Sequence, residues 1–309
     1  MPVFSDYAFP SGDGVTQIHV RRCTPDTAPR AVLQIAHGIA EHVERYDEFA
    51  TYLAENGFLV VANDHLGHGQ SVSADGELGH FADENGWMTA VGDMHRLYQL
   101  THAEFPELPY FLFGHSMGSF LTRTYLLRWS EGLSGAVICG TGQQPAAVVA
   151  GGKLASALEI KKHGPRYHSD KLNTLAFGGY NKAFQPARTP NDWLTRDEAH
   201  VDRYNADPLC GFVPTAGLFH DMMGGIQMIS KLDNVRLMRR DLPVLFIAGD
   251  ADPVGESGKG VRRAYENFLR AGMSDVSLKL YPGGRHEILN ELCRNEVYND
   301  VLRWLESKL

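Results

Sequence analysis

The chain has 309 residues, four cysteines and a formal net charge of −8. That length can bury a large core in a single α/β unit, and the acidic balance argues against nucleic acid as the main partner. Cys23, Cys139, Cys210 and Cys293 are scattered without a CxxC pair, which suggests neither a disulfide framework nor a zinc site.

In chain order, the opening MPVFSDYAFPSGDG lacks the basic stretch and apolar core of a secretory signal, and Thr16–Arg22 offers an antiparallel edge strand. Six short apolar runs follow, at Ala31–Ala36, Phe58–Ala62, Tyr110–Phe113, Gly135–Cys139, Pro243–Ala248 and Val276–Leu280. Helical patterns separate them at Glu44–Asn56, Trp87–Phe105, Met117–Trp129 and Gly258–Ala271, with a last helix from about Glu291 to Lys308. Near-continuous β-rich runs alternating with helices predict a mostly parallel sheet covered on both faces. Between Cys139 and Pro243 the rhythm breaks. About a hundred residues without a clear strand are too many for a structureless loop, and they read as helices at Ala146–Lys162, Arg196–Ala206 and Ala216–Lys231. The expected organisation is a core of residues 1–140 and 241–309, with 141–240 inserted as a helical cap over the edge of the sheet where open α/β sheets bind ligands. No run approaches the ~18 apolar residues of a membrane span, and the expected location is the cytoplasm.

The strongest local pattern is YFLFGHSMGSF, in which a strand runs into Gly114-His115-Ser116-Met117-Gly118 and a helix follows. This G-x-S-x-G context is that of a nucleophile elbow and implies an α/β-hydrolase fold, whose triad runs Ser, acid, His along the chain. A free serine hydroxyl is a poor nucleophile, so a base and an orienting acid are needed elsewhere. His286, in YPGGRHE after the last strand, is the only histidine beyond the loop GDADPVG, where Asp250 and Asp252 are rival acids. Asp252 is preferred as the residue farther into its loop. The turn AHGIAEH after the first long strand is placed to supply the Ile39 N–H, which with the Met117 N–H would stabilise an oxyanion; His37 and His42 are read as loop packing.

Other signals are weaker. Asp64, His65 and His68 in NDHLGHG read as a turn whose polar side chains bond local backbone rather than as metal ligands. GESGKG lacks the first glycine of a phosphate loop. Phe219, Met222, Met223, Ile226 and Ile229 form an apolar stripe at helical spacing, either core or an adaptable acyl-chain wall. Residues 141–240 hold 13 Lys/Arg against 9 Asp/Glu, so the cap could touch a membrane surface transiently.

At HGIAEHVERY, ANDHLGHGQS, GHSMGS, GDADPV and GGRHE the sequence resembles the monoacylglycerol lipase and lysophospholipase branch of the α/β-hydrolases. The resemblance implies hydrolysis of acyl-glycerol or lysophospholipid esters, with Ser116, Asp252 and His286 in the triad positions and no cofactor or metal. It also places Glu41 and Arg45 near a bound polar head group, although an i,i+4 ion pair starting a helix explains them equally well. Ile39 departs from the small residue usual in that turn. A proline-iminopeptidase-like peptidase, needing a cap carboxylate such as Asp192, Asp197, Glu198 or Asp202 to bind an ammonium, is one alternative. A non-catalytic receptor on the same fold is the other.

Overall fold

The computed structural model describes residues 1–74 and 76–309. The apolar runs form the strands of one sheet: β1 (Val3–Pro10), β2 (Gln17–Thr24), β3 (Ala31–Ala36), β4 (Phe58–Asn63), β5 (Tyr110–His115), β6 (Gly135–Cys139), β7 (Val244–Gly249) and β8 (Val276–Tyr281). Their order across the sheet is β1-β2-β4-β3-β5-β6-β7-β8. The first two strands add antiparallel to β4, and β3 to β8 are mutually parallel. β1 escapes the sequence pattern because only Phe9 along it is buried.

Every residue of β3 to β7 is buried, which is why these segments read as apolar runs rather than alternations. Alternation survives in what each residue packs against. Val32, Leu59, Leu112, Ile138 and Phe246 join one core with helices α2 (Gly86–Glu104) and α3 (Met117–Trp129). Leu33, Val60, Phe111, Val137 and Ile247 join a second core with α1 (Asp47–Glu55). The helical pattern expected from Glu44 opens instead as a single 3-10 turn, Val43–Tyr46, before α1.

Between β6 and β7 lie α4 (Ala146–His163), α5 (Asp170–Phe177), α6 (Glu198–Ala206), α7 (Ala216–Ser230) and α8 (Leu232–Val235). α6 starts two residues later than the apolar pattern suggested, because the Asp197 side chain accepts the Ala199 N–H and caps it there. α7 packs on α4 and also against α2 and α3. Arg123 of α3, fully buried, donates to Gly142 O at 2.9 Å and Gln143 Oε1 at 2.8 Å and reaches Ile229 O, so one side chain fastens both ends of the helical segment.

After β7 and β8 come α9 (Lys259–Arg270) and α10 (Arg294–Glu306). α10 begins three residues later than expected because Glu291 turns fully inward, where its carboxylate accepts from Arg196 Nε at 2.8 Å and from the Arg285 N–H at 3.0 Å. No described helix is long and apolar enough to cross a membrane.

Candidate active site

Parallel strands end on one edge, and four loops at that edge converge. The turn between β5 and α3 holds Ser116 at φ 53° and ψ −121°, a conformation a non-glycine residue adopts only when its surroundings enforce it. Both flanking glycines are required by close approach: a Cβ on Gly118 would overlap the Ala36 carbonyl oxygen, and one on Gly114 the Thr122 hydroxyl. Ser116 therefore sits at the mouth of the β5–α3 turn, one residue before a helix N-terminus whose first N–H groups have no helical partner.

His286, from the loop after β8, presents Nδ1 to both carboxylate oxygens of Asp252 at 3.0 Å each. The pair is buried, with side-chain exposures of 2% and 0%. Asp252 Oδ1 also accepts the Val254 N–H at 2.8 Å, which fixes the carboxylate plane. Asp250 is exposed and accepts the Gly283 N–H at 2.7 Å, away from the imidazole. The geometry thus favours Asp252 over its rival as the partner of His286. Ser116 and His286 both face a cavity of about 700 Å³.

The Ile39 and Met117 backbones border the same cavity, and among the described residues neither N–H has a hydrogen-bond partner in the protein. The 37–42 loop that carries Ile39 is held from several sides. His37 Nδ1 bonds Gly38 O at 2.7 Å and its Nε2 accepts the His65 N–H at 2.9 Å, so His37 packs the loop as expected. The carbonyl of Ala40, a residue at φ 54°, accepts from the Tyr204 hydroxyl at 3.1 Å and the Gly211 N–H at 3.0 Å. Asp64 bonds the Val43 and Gln70 N–H groups at 2.9 Å each and His19 at 2.8 Å, which makes NDHLGHG a structural turn.

Glu41 and Arg45 part company. Glu41 reaches the polar floor of the cavity, where Oε1 accepts from Gly38 N at 2.6 Å and the Tyr46 hydroxyl at 2.8 Å and contacts His115 at 3.3 Å. Arg45 lies behind that floor and does not line the cavity. Its guanidinium bonds Glu41 Oε2 and forks onto Glu287 at 2.7 and 2.6 Å. Its fork is committed to two buried carboxylates, which is the ion pair weighed from the sequence beside a head-group contact. Burial works against both carboxylates, but Arg45 and His115 together outweigh it and hold Glu41 well below the usual carboxylate range and Glu287 below it. Burial would likewise depress His115, yet its bond to Glu41 raises it, so the cluster favours two anions facing a guanidinium and an imidazolium.

The cavity walls are mostly apolar. Phe219, Met222, Met223 and Ile226 of α7 line the cavity, whereas Ile229 continues into the core. Phe120 of α3 and Leu172 of α5 complete the wall.

Residues 27–293 match the family described as serine aminopeptidase S33. The chain is 32% identical to a monoacylglycerol lipase of Mycolicibacterium smegmatis, over 99% of this chain and 98% of that one. It is 30% identical to a monoglyceride lipase of Homo sapiens, over 92% of this chain and 85% of that one. It also superposes, with a TM-score of 0.92 and 31% identity, on a highly thermostable carboxyl esterase from Bacillus coagulans in complex with glycerol, covering 99% of this chain and 98% of that one. The chain belongs to the monoacylglycerol lipase branch of the α/β-hydrolases. It is a serine ester hydrolase.

Within this branch assignment, sequence reasoning missed Glu287 and Tyr204. Glu287 adjoins His286 and carried a usable signal, a carboxylate beside the base, while Tyr204 sits in a helix whose docking no local pattern reveals.

Proposed function

We propose that the protein hydrolyses monoacylglycerols through Ser116, His286 and Asp252. In this reading His286 Nε2 takes the Ser116 proton as the hydroxyl attacks the ester carbonyl, and Asp252 holds the tautomer and stabilises the imidazolium. The Ile39 and Met117 N–H groups receive the oxyanion. His286 returns the proton to the departing glycerol oxygen, and water then repeats the sequence on the acyl-enzyme. The observation that carries the reading is His286, backed by the buried Asp252, facing with the strained Ser116 a cavity lined mostly by apolar side chains, with Glu41, His115 and Glu287 also bordering it. Such a cavity suits one long acyl chain and one small polar head.

The helical segment acts in this proposal as the cap that selects substrate. Val148 and Leu175 line the cavity and are 58% and 65% exposed, giving it an apolar rim. Leu154 and Leu158 of α4 are also more than half exposed, near Lys161 and Lys162 at that helix's end, a surface suited to brief contact with lipid. Four free thiols accord with a cytoplasmic setting. Glu41, at the floor, is the proposed head-group contact, and lysophospholipids are the second substrate class to compare.

A peptidase reading needs a carboxylate for the substrate ammonium. Asp192, Asp197, Glu198 and Asp202 all lie off the cavity, with Asp197 pairing Arg294 at 3.0 Å and Asp202 pairing Arg188 at 2.6 Å. The test is fatty-acid release from 1-monooleoylglycerol alongside cleavage of an aminoacyl-naphthylamide by the same preparation. Turnover of the first with none of the second supports the proposal; the reverse overturns it.

A further inference from the structure

Apart from the triad and the Glu41–Arg45–Glu287 cluster, a further group joins side chains that the chain keeps far apart. His42 follows Glu41 in the 37–42 loop, and Asp207 and Cys210 stand in the turn after α6. We propose that His42, Asp207 and Cys210 form a binding site for a divalent transition-metal ion, best matched to Zn²⁺, on the seam between the loop carrying Ile39 and the helical segment.

Nε2 of His42 lies 2.8 Å from Oδ2 of Asp207, 165 residues away in the chain, and these two atoms and the Cys210 sulfur all lie within 4.8 Å of one another. Bonds of ~2.0–2.2 Å to nitrogen and oxygen and ~2.3 Å to sulfur put tetrahedral donors about 3.3–3.7 Å apart, so the trio closes on a metal with adjustments on the order of 1 Å. The ligands are already oriented. Asp207 Oδ1 accepts the Leu209 N–H at 2.8 Å, which turns Oδ2 toward His42, and the Cys210 N–H bonds Asp207 O at 3.1 Å, so one backbone turn presents both carboxylate and thiol. His42 and Cys210 are buried while the Asp207 side chain is 30% exposed, so the carboxylate is the side of the trio that opens to solvent.

The donor set selects the metal. Thiolate and imidazole disfavour Ca²⁺ and Mg²⁺, which take oxygen ligands, and favour Zn²⁺ or its spectroscopic substitute Co²⁺. One thiolate and one carboxylate neutralise a divalent charge, as a largely buried site requires. The nearby Arg45 guanidinium adds no net repulsion, being paired with both Glu41 and Glu287. On binding, His42 ligates through Nε2 as neutral imidazole with its proton on Nδ1, the ionised Asp207 turns its oxygen from His42 to the metal, and the Cys210 thiol releases its proton to solvent. The scattered cysteines gave no hint of this because its ligands meet only through the docking of the segment on the loop, the seam where Tyr204 and Gly211 already bond Ala40.

The experiment is Co²⁺ titration of chelator-treated wild-type protein, followed in the near ultraviolet and visible, with Zn²⁺ added to displace it. The expected result is a thiolate-to-cobalt charge-transfer band saturating near one equivalent, removed by Zn²⁺, together with a Zn²⁺-dependent rise in Tm. Cys210→Ser should abolish the band, Asp207→Asn should weaken Zn²⁺ binding by about tenfold or more, and Cys293→Ser should change neither. A wild-type titration without the band, or a band that survives Cys210→Ser, overturns the site, and the first of these needs no variant to fold.

Discussion

Arg45 meets Glu287 through two parallel N–H···O bonds of 2.7 and 2.6 Å, and Glu287 is the residue after His286. The ion pair therefore ties the loop that carries the base to the first turn after the Ile39 loop. Removing Arg45 would leave Glu41 and Glu287 buried and uncompensated, a loss of about 3–5 kcal/mol. Arg45→Met should lower Tm and reduce kcat on every ester alike. Glu41→Gln should act differently if its carboxylate holds the head group: kcat/KM for a monoacylglycerol falls about tenfold, the value of one charged hydrogen bond, while the p-nitrophenyl ester of the same chain changes much less. Equal losses on both substrates from Glu41→Gln would reduce its role to holding Gly38 and Tyr46.

Chain-length dependence follows from the walls. Each methylene buried among Phe219, Met222, Met223 and Leu172 adds up to ~0.8 kcal/mol until the cavity is full. For p-nitrophenyl esters, kcat/KM should climb from acetate to at least octanoate. A decline beginning at acetate would mean that the acyl chain does not occupy this cavity.

Much of this was legible in the sequence, and what escaped it has a common cause. The strands announced themselves because burial on both faces removes polar positions, and Ser116, Asp252 and His286 stood directly after strands, where topology sends every loop to one edge. Glu41 and Arg45 were visible as an i,i+4 pair, but their third partner lies 242 residues beyond Arg45. The bonds from Tyr204 and Asp207 to the 37–42 loop also cross long stretches of chain, since 164 and 165 residues separate the partners. Helical periodicity shows that a face is buried without showing against what. α5 was missed for a simpler reason: of its eight residues only Leu172 is buried, too few to set a period.

Stability should fall in mild acid through three clustered histidines, with His37 against His65 and His68. Burial, reinforced by the neighbouring rings, keeps His65 well below its ordinary value and His68 down to about 3, and burial also lowers His37. All three are fully buried, and among the described residues neither ring nitrogen of His65 has a hydrogen-bond partner. With folded values below the unfolded one near 6.5, the unfolded chain gains protons first as pH drops. Each histidine then removes up to about 1.4 kcal/mol per pH unit below 6.5, until its folded value is reached. His115, raised by Glu41, works the other way: its contribution is present in acid and is lost as pH rises through its folded value. Denaturation of His65→Leu and wild type between pH 7.5 and 5 isolates one member of the cluster. The difference in unfolding free energy should move in favour of the variant as pH falls, and a constant difference would show that His65 does not stay neutral in the folded protein.

The central claim, that Asp252 and not Asp250 completes a triad with Ser116 and His286, rests on one comparison of turnover. Measured on 1-monooleoylglycerol, kcat should fall by about 10⁶ in Ser116→Ala and by about 10⁴ in Asp252→Asn, in which an amide would hold the wrong His286 tautomer. Asp250→Asn, which alters an exposed carboxylate bonded to Gly283, should stay close to wild type. Near-normal turnover in Ser116→Ala, or a larger loss from Asp250→Asn than from Asp252→Asn, would contradict the account.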